Sequence, residues 1–412
     1  MVPPARGPEM LRGGWPLRIA LFTPFSPEIG GGSAQLRSHL QQLPELNVKW
    51  YYLAKERTAN PQWIWLGERL SVGELLGDLS ARTGLLPGSK SRVRHLVEQM
   101  DADLYWVVGH YEGISVAAEL ISQGKKVHLT VHDDPFGTWI RSERYSLFRP
   151  VLRATFPAIL KAARSMDVTS WGMRNLYRQK YGVKCFSLYL HVAELPKLSV
   201  SPIPNQLTIG HIGSLYRSEP FLHFLAACKR IAQQQRRPLR IVRIGSSPQI
   251  DRIAAHHPQI FDARGDLHEK DAVPLLATCD LLYAMYPAGK KYELFRRTSL
   301  PVKVSSYLQA QRPIFAHTPE DSTLACVVSK YQVGRICASE REDQLASDVG
   351  KLLGETVPAE NFELARQDLM GPAQVQQLRA ALTGGDWESF PESDCLPAGH
   401  PPEPPMRAPL IQ

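Results

Sequence analysis

Long apolar runs are missing from this 412-residue chain, and no stretch approaches the length of a membrane-spanning helix. Residues 1–14 have no apolar centre, which argues against a secretory leader. Cysteine is scarce. The six present are Cys185, Cys228, Cys279, Cys326, Cys337 and Cys395, and they form no C-x-x-C pair. Most sit in apolar surroundings, so neither a disulfide framework nor a zinc site is expected, and a reducing cytoplasm is. The dinucleotide fingerprint G-x-G-x-x-G is also absent, and Tyr51-Tyr52 stand where an acidic ribose ligand belongs. No short-period repeat and no RNA- or DNA-binding motif occurs. The net charge of +8 is modest, so nucleic acid is not expected as a partner.

What is present reads as a soluble globular protein, 43% hydrophobic and 21% charged. The chain is too long for one core, so two domains are expected. Residues 17–22 form an apolar run of the kind found in buried parallel strands. A loop ending in Gly30-Gly31-Gly32 follows. Ser33 is a candidate N-cap, with Leu36, Leu40 and Leu43 at helical spacing behind it. A second strand follows over 48–53. This β–glycine loop–α–β opening is the start of a doubly wound sheet. Residues 55–100 are less periodic and carry a basic run at Lys90, Arg92, Arg94 and His95. Further strands over 104–108 and 127–131 end at Gly109-His110-Tyr111-Glu112 and at His132-Asp133-Asp134-Pro135. His110 and His132 thus lie at the carboxyl ends of successive strands, the edge where open α/β sheets bind ligands.

Residues 141–164 read as a basic amphipathic helix or helix pair, with Arg141, Arg144, Arg149, Arg153, Lys161 and Arg164 against one acid, Glu143. Packing on its own domain and attachment to an anionic membrane surface are both open readings. A strand is expected over 167–170, a helix over 171–181 and a strand over 185–190. A Pro/Ser-rich linker covers 196–206, after which β and α alternate again from 207. Helices are expected near 343–353 and over 359–382. The Pro-rich end, 386–412, lacks a core pattern and is expected to be disordered, as is the N-terminus, 1–16. Within the second half, 293–317 stands out. A basic polar loop (Arg296, Arg297, Thr298, Ser299, Pro301) leads into a helix expected over 302–311 that contains Lys303. Unpaired backbone N–H groups at a helix start suit a phosphate.

Several pieces together resemble glycosyltransferase family 4, of the GT-B fold, over most of 17–355. The glycine loop of 24–40 is similar to the family's first loop. Thr130-Val131-His132-Asp133 is similar to its strand ending in His-Asp. The segment 168–183 resembles its "V-S-x-x-M … Y-G-V" helix, and 209–215 its second-domain opening. Ala277-Thr278-Cys279-Asp280-Leu281-Leu282 is similar to its "A-D-v-x-l" strand. Ser299 to Leu308, ending at Arg312-Pro313-Ile314, resembles its donor-site form "S-x-P-x-K-x-x-E-Y-L-A-x-G-x-P-I".

The resemblance implies an α/β fold of two doubly wound Rossmann-like domains facing across a cleft. The expected division is 17–195 for the acceptor side, 196–206 as linker, and 207–385 for the donor side with C-terminal helices. It implies a retaining transfer from a nucleotide-diphosphate sugar to a glycan, lipid-linked or other hydroxyl acceptor, with no metal and no further cofactor. No D-x-D-like pair sits in the matching loop. Gly31, Gly32, Arg217, Arg296, Arg297 and Lys303 are the expected diphosphate contacts. Ser306 is expected at the ribose or base, His132 and Thr298 at the reacting centre, and His110 and Asp133 on the acceptor side. Thr298 and Ser306 stand where the family carries two glutamates, and Ser214 where it carries an arginine. The other reading is therefore a GT-B-shaped protein that binds a nucleotide or glycan, or partners another transferase, without catalysing transfer. The expected location is the cytoplasm, with the basic helix 141–164 as a peripheral contact to the inner face of the membrane.

Overall fold

The structure, a computed structural model, describes residues 17–28, 30–68, 89–137, 149–198 and 200–392. They fall in two compact units. The first holds the described residues up to His191 and again 371–392; the second is Val192–Met370.

The first unit is built on β1 (Arg18–Thr23), β2 (Asn47–Tyr52), β3 (Trp63–Trp65), β4 (Leu104–Val108), β5 (Val127–Val131), β6 (Ser165–Val168) and β7 (Phe186–Ser187). Their order is β3-β2-β1-β4-β5-β6-β7, and every pair is parallel. β4 and β5 are buried at every position, as strands covered on both faces must be. The order reverses between β1 and β4, where Phe22 pairs with Tyr51 on one side and Val107 on the other. Such a reversal leaves a crevice at the carboxyl ends of the strands.

Two polar residues on β5 are reconciled with burial by a shared network. His128 bridges Ser165 Oγ and Asp167 Oδ1, both at 2.8 Å. Thr130 donates to Asp167 Oδ1 at 2.6 Å and accepts from Trp106 Nε1 at 2.7 Å. Ser165, His128 and Asp167 have the connectivity of a nucleophile–base–acid triad. They are 3%, 0% and 0% exposed, so no substrate reaches them and the network holds the core.

The second unit repeats the plan. β8 (Leu207–Ile212), β9 (Leu239–Ile244), β10 (Phe261–Ala263), β11 (Leu281–Met285), β12 (Ile314–His317) and β13 (Gly334–Cys337) are parallel in the order β10-β9-β8-β11-β12-β13. The reversal lies between β8 and β11. Helix Ser218–Gln234 covers one face, where Phe224 packs 4.2 Å from Tyr283 and 5.2 Å from Phe315, ring centre to ring centre.

Several boundaries differ from the sequence expectation. The helix expected over 359–382 is two, Ala359–Met370 and Pro372–Thr383. Gly371 is extended (φ −75°, ψ 172°) because the residue before a proline is pushed out of the helical region. The second of these helices then packs into the first unit, with Leu378 and Leu382 beside Trp50, Trp106 and Phe186. The segment expected as a linker, 196–206, is docked along the second unit. Gln311 donates to Pro196 O at 2.9 Å, Arg312 to Val200 O at 2.8 Å, and Ile203 N to Thr278 O at 3.3 Å.

Of the segment expected to be disordered, 386–392 belongs to the first unit. Trp387 packs 5.4 Å from Phe186, Glu388 pairs with Lys184, and Glu392 pairs with Arg178. The remaining expectation of disorder, for 1–16 and 393–412, lies outside the described residues. So does 141–148 of the basic helix. The described part, Arg149–Ala162, buries Leu152, Phe156, Ile159 and Leu160 within the first unit and exposes Arg153 and Lys161. Its apolar side is therefore already covered. The basic run of 90–95 lies on helix Ser89–Glu98.

Candidate functional site

The first unit's carboxyl edge is formed by the residues that follow β1, β4 and β5. After β1, Thr23 Oγ1 donates to Phe25 O at 2.8 Å and Ser33 Oγ to Ser26 O at 2.6 Å, which folds the loop back on itself. Ser33 therefore ties the loop instead of capping. Gly30 is the N-cap of helix Gly31–Gln41, at φ 100°. That helix buries polar side chains. Gln35 Nε2 donates to Leu188 O, Ser38 Oγ to His191 O, and His39 Nε2 to Tyr189 O, each at 2.8 Å. Burial pulls His39 down to about 4, so its ring is neutral.

His132, after β5, is neutral for the same reason and also pulled down to about 4. A Cβ on Gly32 would lie 2.6 Å from His132 Nδ1, so the imidazole occupies the space that a side chain at 32 would take. Phe25 stacks on the ring at 6.1 Å, and Thr169 Oγ1 fixes the His132 carbonyl at 2.6 Å. His132 Nε2 is buried and has no hydrogen-bond partner among the described residues. A neutral, immobilised imidazole with an unmet ring nitrogen suits a hydroxyl better than a phosphate. Asp133 is half-buried, and neighbouring Asp134 is fully engaged. It accepts from Phe136 N at 2.9 Å, Gly137 N at 3.0 Å and the Tyr177 hydroxyl at 3.0 Å, and burial raises its carboxyl above the usual range.

His110 sits in the turn after β4, its ring edge-on to Tyr111 at 4.0 Å. Sequence reasoning missed Tyr111. It holds φ 45° and ψ −123°, a conformation that costs a side chain roughly 1–3 kcal/mol. The available signal was the spacing Gly109-x-Tyr111-x-Gly113 at a strand-to-helix turn.

In the second unit, β8 ends at Gly213 (φ +78°) and β9 at Gly245 (φ +85°). A Cβ at 245 would meet Gly213 N at 3.2 Å, so glycine serves both backbone conformation and close approach. Lys303 lies against this turn, its Nζ 2.9 Å from Ser214 O. Burial pulls its ammonium down to about 7. Its helix, Lys303–Ala310, is anchored by Tyr307. That hydroxyl donates to Tyr283 O at 2.7 Å and accepts from Ile212 N at 3.3 Å, linking the end of β8 to the middle of β11. His211 lies beneath, 3.0 Å from Gly213 O and 3.2 Å from Tyr283 O. Burial, reinforced by Lys303, keeps it well below the usual imidazole range.

The other expected cations are held by acids. Arg296 is 8% exposed and forks onto Asp321, both contacts at 2.6 Å, with a third bond to Gly289 O at 3.0 Å. The expected basic loop is in fact helix Glu293–Thr298, which places Arg296 inward, between the segments after β11 and β12. Arg297 pairs with Glu293 at 3.1 Å. Arg217 pairs with Glu219 and lies 3.7 Å from Glu340. Thr298 is buried and donates back to Leu294 O at 2.6 Å, while Ser306 is 7% exposed. Of the four expected diphosphate cations, Lys303 alone meets a carbonyl instead of a carboxylate. Tyr216, Tyr286 and Phe295 form a ring cluster at the same edge, with Tyr216 stacked on Tyr286 at 5.4 Å. Sequence reasoning missed these rings too, although Tyr286 directly follows β11 and Tyr216 lies in the loop after β8.

No family model matches the sequence, and no curated protein matches it. Solved structures do match in fold. The lipopolysaccharide outer core galactosyltransferase WaaB aligns with a TM-score of 0.59 at 10% identity, over 89% of this chain and 99% of that one. An α,α-trehalose 6-phosphate synthase from Burkholderia multivorans aligns at 0.58 and 13%, over 89% and 96%. A candidate UDP-N-acetylglucosamine 2-epimerase from Listeria monocytogenes aligns at 0.55 and 14%, over 92% and 99%. At such identities the likeness establishes the fold, which is that of GT-B glycosyltransferases.

Proposed function

We propose that this protein is a glycosyltransferase of the family 4 type, moving a sugar from a nucleotide-diphosphate donor to a hydroxyl of a glycan or lipid-linked acceptor. The observation that carries this reading is Lys303 at the Gly213–Ser214 turn, beside the β8/β11 reversal. A lysine amine pulled down to about 7, held by a backbone carbonyl, becomes fully charged when an anion arrives. A diphosphate supplies that anion. In the transfer, the bond from the sugar carbon to the diphosphate oxygen breaks, and its electron pair leaves with the diphosphate. The acceptor oxygen bonds to that carbon, and its proton passes to the departing diphosphate. Lys303 stabilises the charge growing on the leaving group. His132 receives a sugar hydroxyl at Nε2. By the same resemblance the transfer retains configuration and needs no metal, and the protein acts in the cytoplasm. Arg153 and Lys161 are the described groups of the basic helix for contact with an anionic membrane surface.

Arg296, Arg297 and Arg217 are not assigned to phosphate, because each is already paired with a carboxylate. The same pairing, with Thr298 turned onto its own helix, favours a second reading, a nucleotide-binding protein of this fold without transfer. Thermal unfolding with UDP, GDP, ADP and TDP and their sugars tests donor binding. Incubation with radiolabelled sugar nucleotides then tests turnover. Stabilisation with sugar release or transfer supports the enzyme. Stabilisation without either supports the second reading. No stabilisation by any nucleotide removes both.

A further inference from the structure

Gly30 and Gly32 stand two residues apart after β1, and they are glycine for different reasons. Gly30 is the N-cap of helix Gly31–Gln41 and holds φ 100°, where a side chain is strained. Gly32 belongs to the helix and has no positive φ, so its backbone accepts other residues, and alanine is the better helix former. The reason at 32 is space. A Cβ there would lie 2.6 Å from His132 Nδ1, 2.9 Å from His132 Cε1 and 3.3 Å from Phe25 Cζ. The His132 and Phe25 rings, stacked at 6.1 Å, thus close on one bare Cα.

That contact replaces a bond. A working imidazole is ordinarily oriented by the hydrogen bond that its other ring nitrogen makes to a carbonyl or carboxylate. Among the described residues His132 Nε2 has no partner, and Thr169 Oγ1 fixes the residue through its carbonyl, at 2.6 Å. The main chain is held by a hydrogen bond and the ring by packing. Phe25 is set in place by its own loop. Thr23 Oγ1 donates to Phe25 O at 2.8 Å, and Ser33 Oγ ties Ser26 O at 2.6 Å. The Phe25 ring is half-buried against the core of the first unit, so its position is inherited from the sheet.

We propose that Gly32 and Phe25 are positioning residues of His132: the bare Cα and the aromatic ring form a slot that sets where Nε2 points, and one methyl group at 32 turns it away. This rests on the transferase reading for what Nε2 meets, a sugar hydroxyl, but the slot can be tested without turnover. A ring held by packing keeps both tautomers open, so the nitrogen either accepts from that hydroxyl or donates to it.

The test compares the full chain with Gly32→Ala, His132→Ala, the two together, and Phe25→Leu. Histidine carrying 13C at Cε1 gives one NMR signal per ring, and the signal lost in His132→Ala is that of His132. Gly32→Ala and Phe25→Leu should each move it. Gly32→Ala should raise Tm by roughly 1–3 °C where residue 132 is alanine, and should not raise it where 132 is histidine. In transfer of radiolabelled sugar, Gly32→Ala should lower kcat about tenfold, as His132→Ala does, with the KM for donor unchanged. The double variant should be no slower than His132→Ala, and Phe25→Leu should lose roughly threefold. An unmoved His132 signal in Gly32→Ala, equal Tm changes with histidine and alanine at 132, or kcat losses that multiply in the double variant each overturn the proposal. A fall in nucleoside diphosphate affinity that is the same in both backgrounds overturns it too and makes Gly32 a phosphate contact. Absence of turnover in wild type removes the transferase reading, and the ring signal and Tm then decide the slot.

Discussion

In the first unit the histidines at 39 and 132 are held neutral by burial, and at the carboxyl edge of its sheet Gly32 and Phe25 lie against His132. At the corresponding edge of the second sheet arginines are plentiful, yet Arg217, Arg296 and Arg297 are consumed by carboxylates of the same unit. The two edges share one topology, with the reversal at β1/β4 in one and β8/β11 in the other. They differ in what they leave for a ligand, an unmet ring nitrogen in the first and an ammonium held by a backbone carbonyl in the second. Counting basic residues along the chain would miss this, because an arginine's availability depends on its partner.

The difference can be broken most sharply at Lys303. Lys303→Met should weaken nucleoside diphosphate binding by on the order of 100-fold in calorimetry, the cost of losing one charge-assisted contact. Arg296→Ala should do something else. It leaves Asp321 without its fork and should cost about 1–3 kcal/mol, a fall of roughly 5 °C in Tm, with nucleotide affinity unchanged in the folded protein. A selective loss of nucleotide affinity would instead make Arg296 a ligand. His132→Ala should lower transfer by about tenfold and leave nucleotide affinity intact; normal turnover would remove His132 from the reaction.

The smallest effect is in pH. Lys303 titrates near 7 when free, and an adjacent dianion raises that value. Binding above neutrality therefore takes up a proton. Affinity should fall roughly fivefold between pH 7 and 8 and level off below 7. Lys303→Arg should bind without this pH dependence, since arginine stays charged.

Much of the architecture was legible. Apolar runs such as 104–108 and 127–131 announced buried parallel strands, and the glycine loop before Ser33 announced the first crossover. His132 and Lys303 could be singled out because each stands next to a clear element, and their proposed roles rest on that placement. The rest depended on distant partners. Arg296 reads as a free cation until Asp321, 25 residues on, is seen beside it. Helix Gly31–Gln41 buries Ser33, Gln35 and His39 as well as Leu36, a face that hydrophobic spacing cannot report because the carbonyls that satisfy Gln35 and His39 lie some 150 residues away. The strands β3 and β10 span three residues each, too short for a period to show. Tyr111 escaped because its distinction is a backbone angle.

The return of the last helix also sets an order of events during synthesis. The second unit is an insertion. The chain leaves the first unit after His191 and re-enters it at Gly371, and Val192 N meets Met370 O at 3.0 Å where the two crossings come together. Leu378 and Leu382 complete a core begun by β1 and β2. A growing chain therefore finishes the second unit while the first still waits for its final helix, reversing the usual amino-to-carboxyl order of domain folding. The paired crossings also mean that 192–370 could be excised and His191 joined to Gly371 by a short bridge, leaving a self-contained first unit.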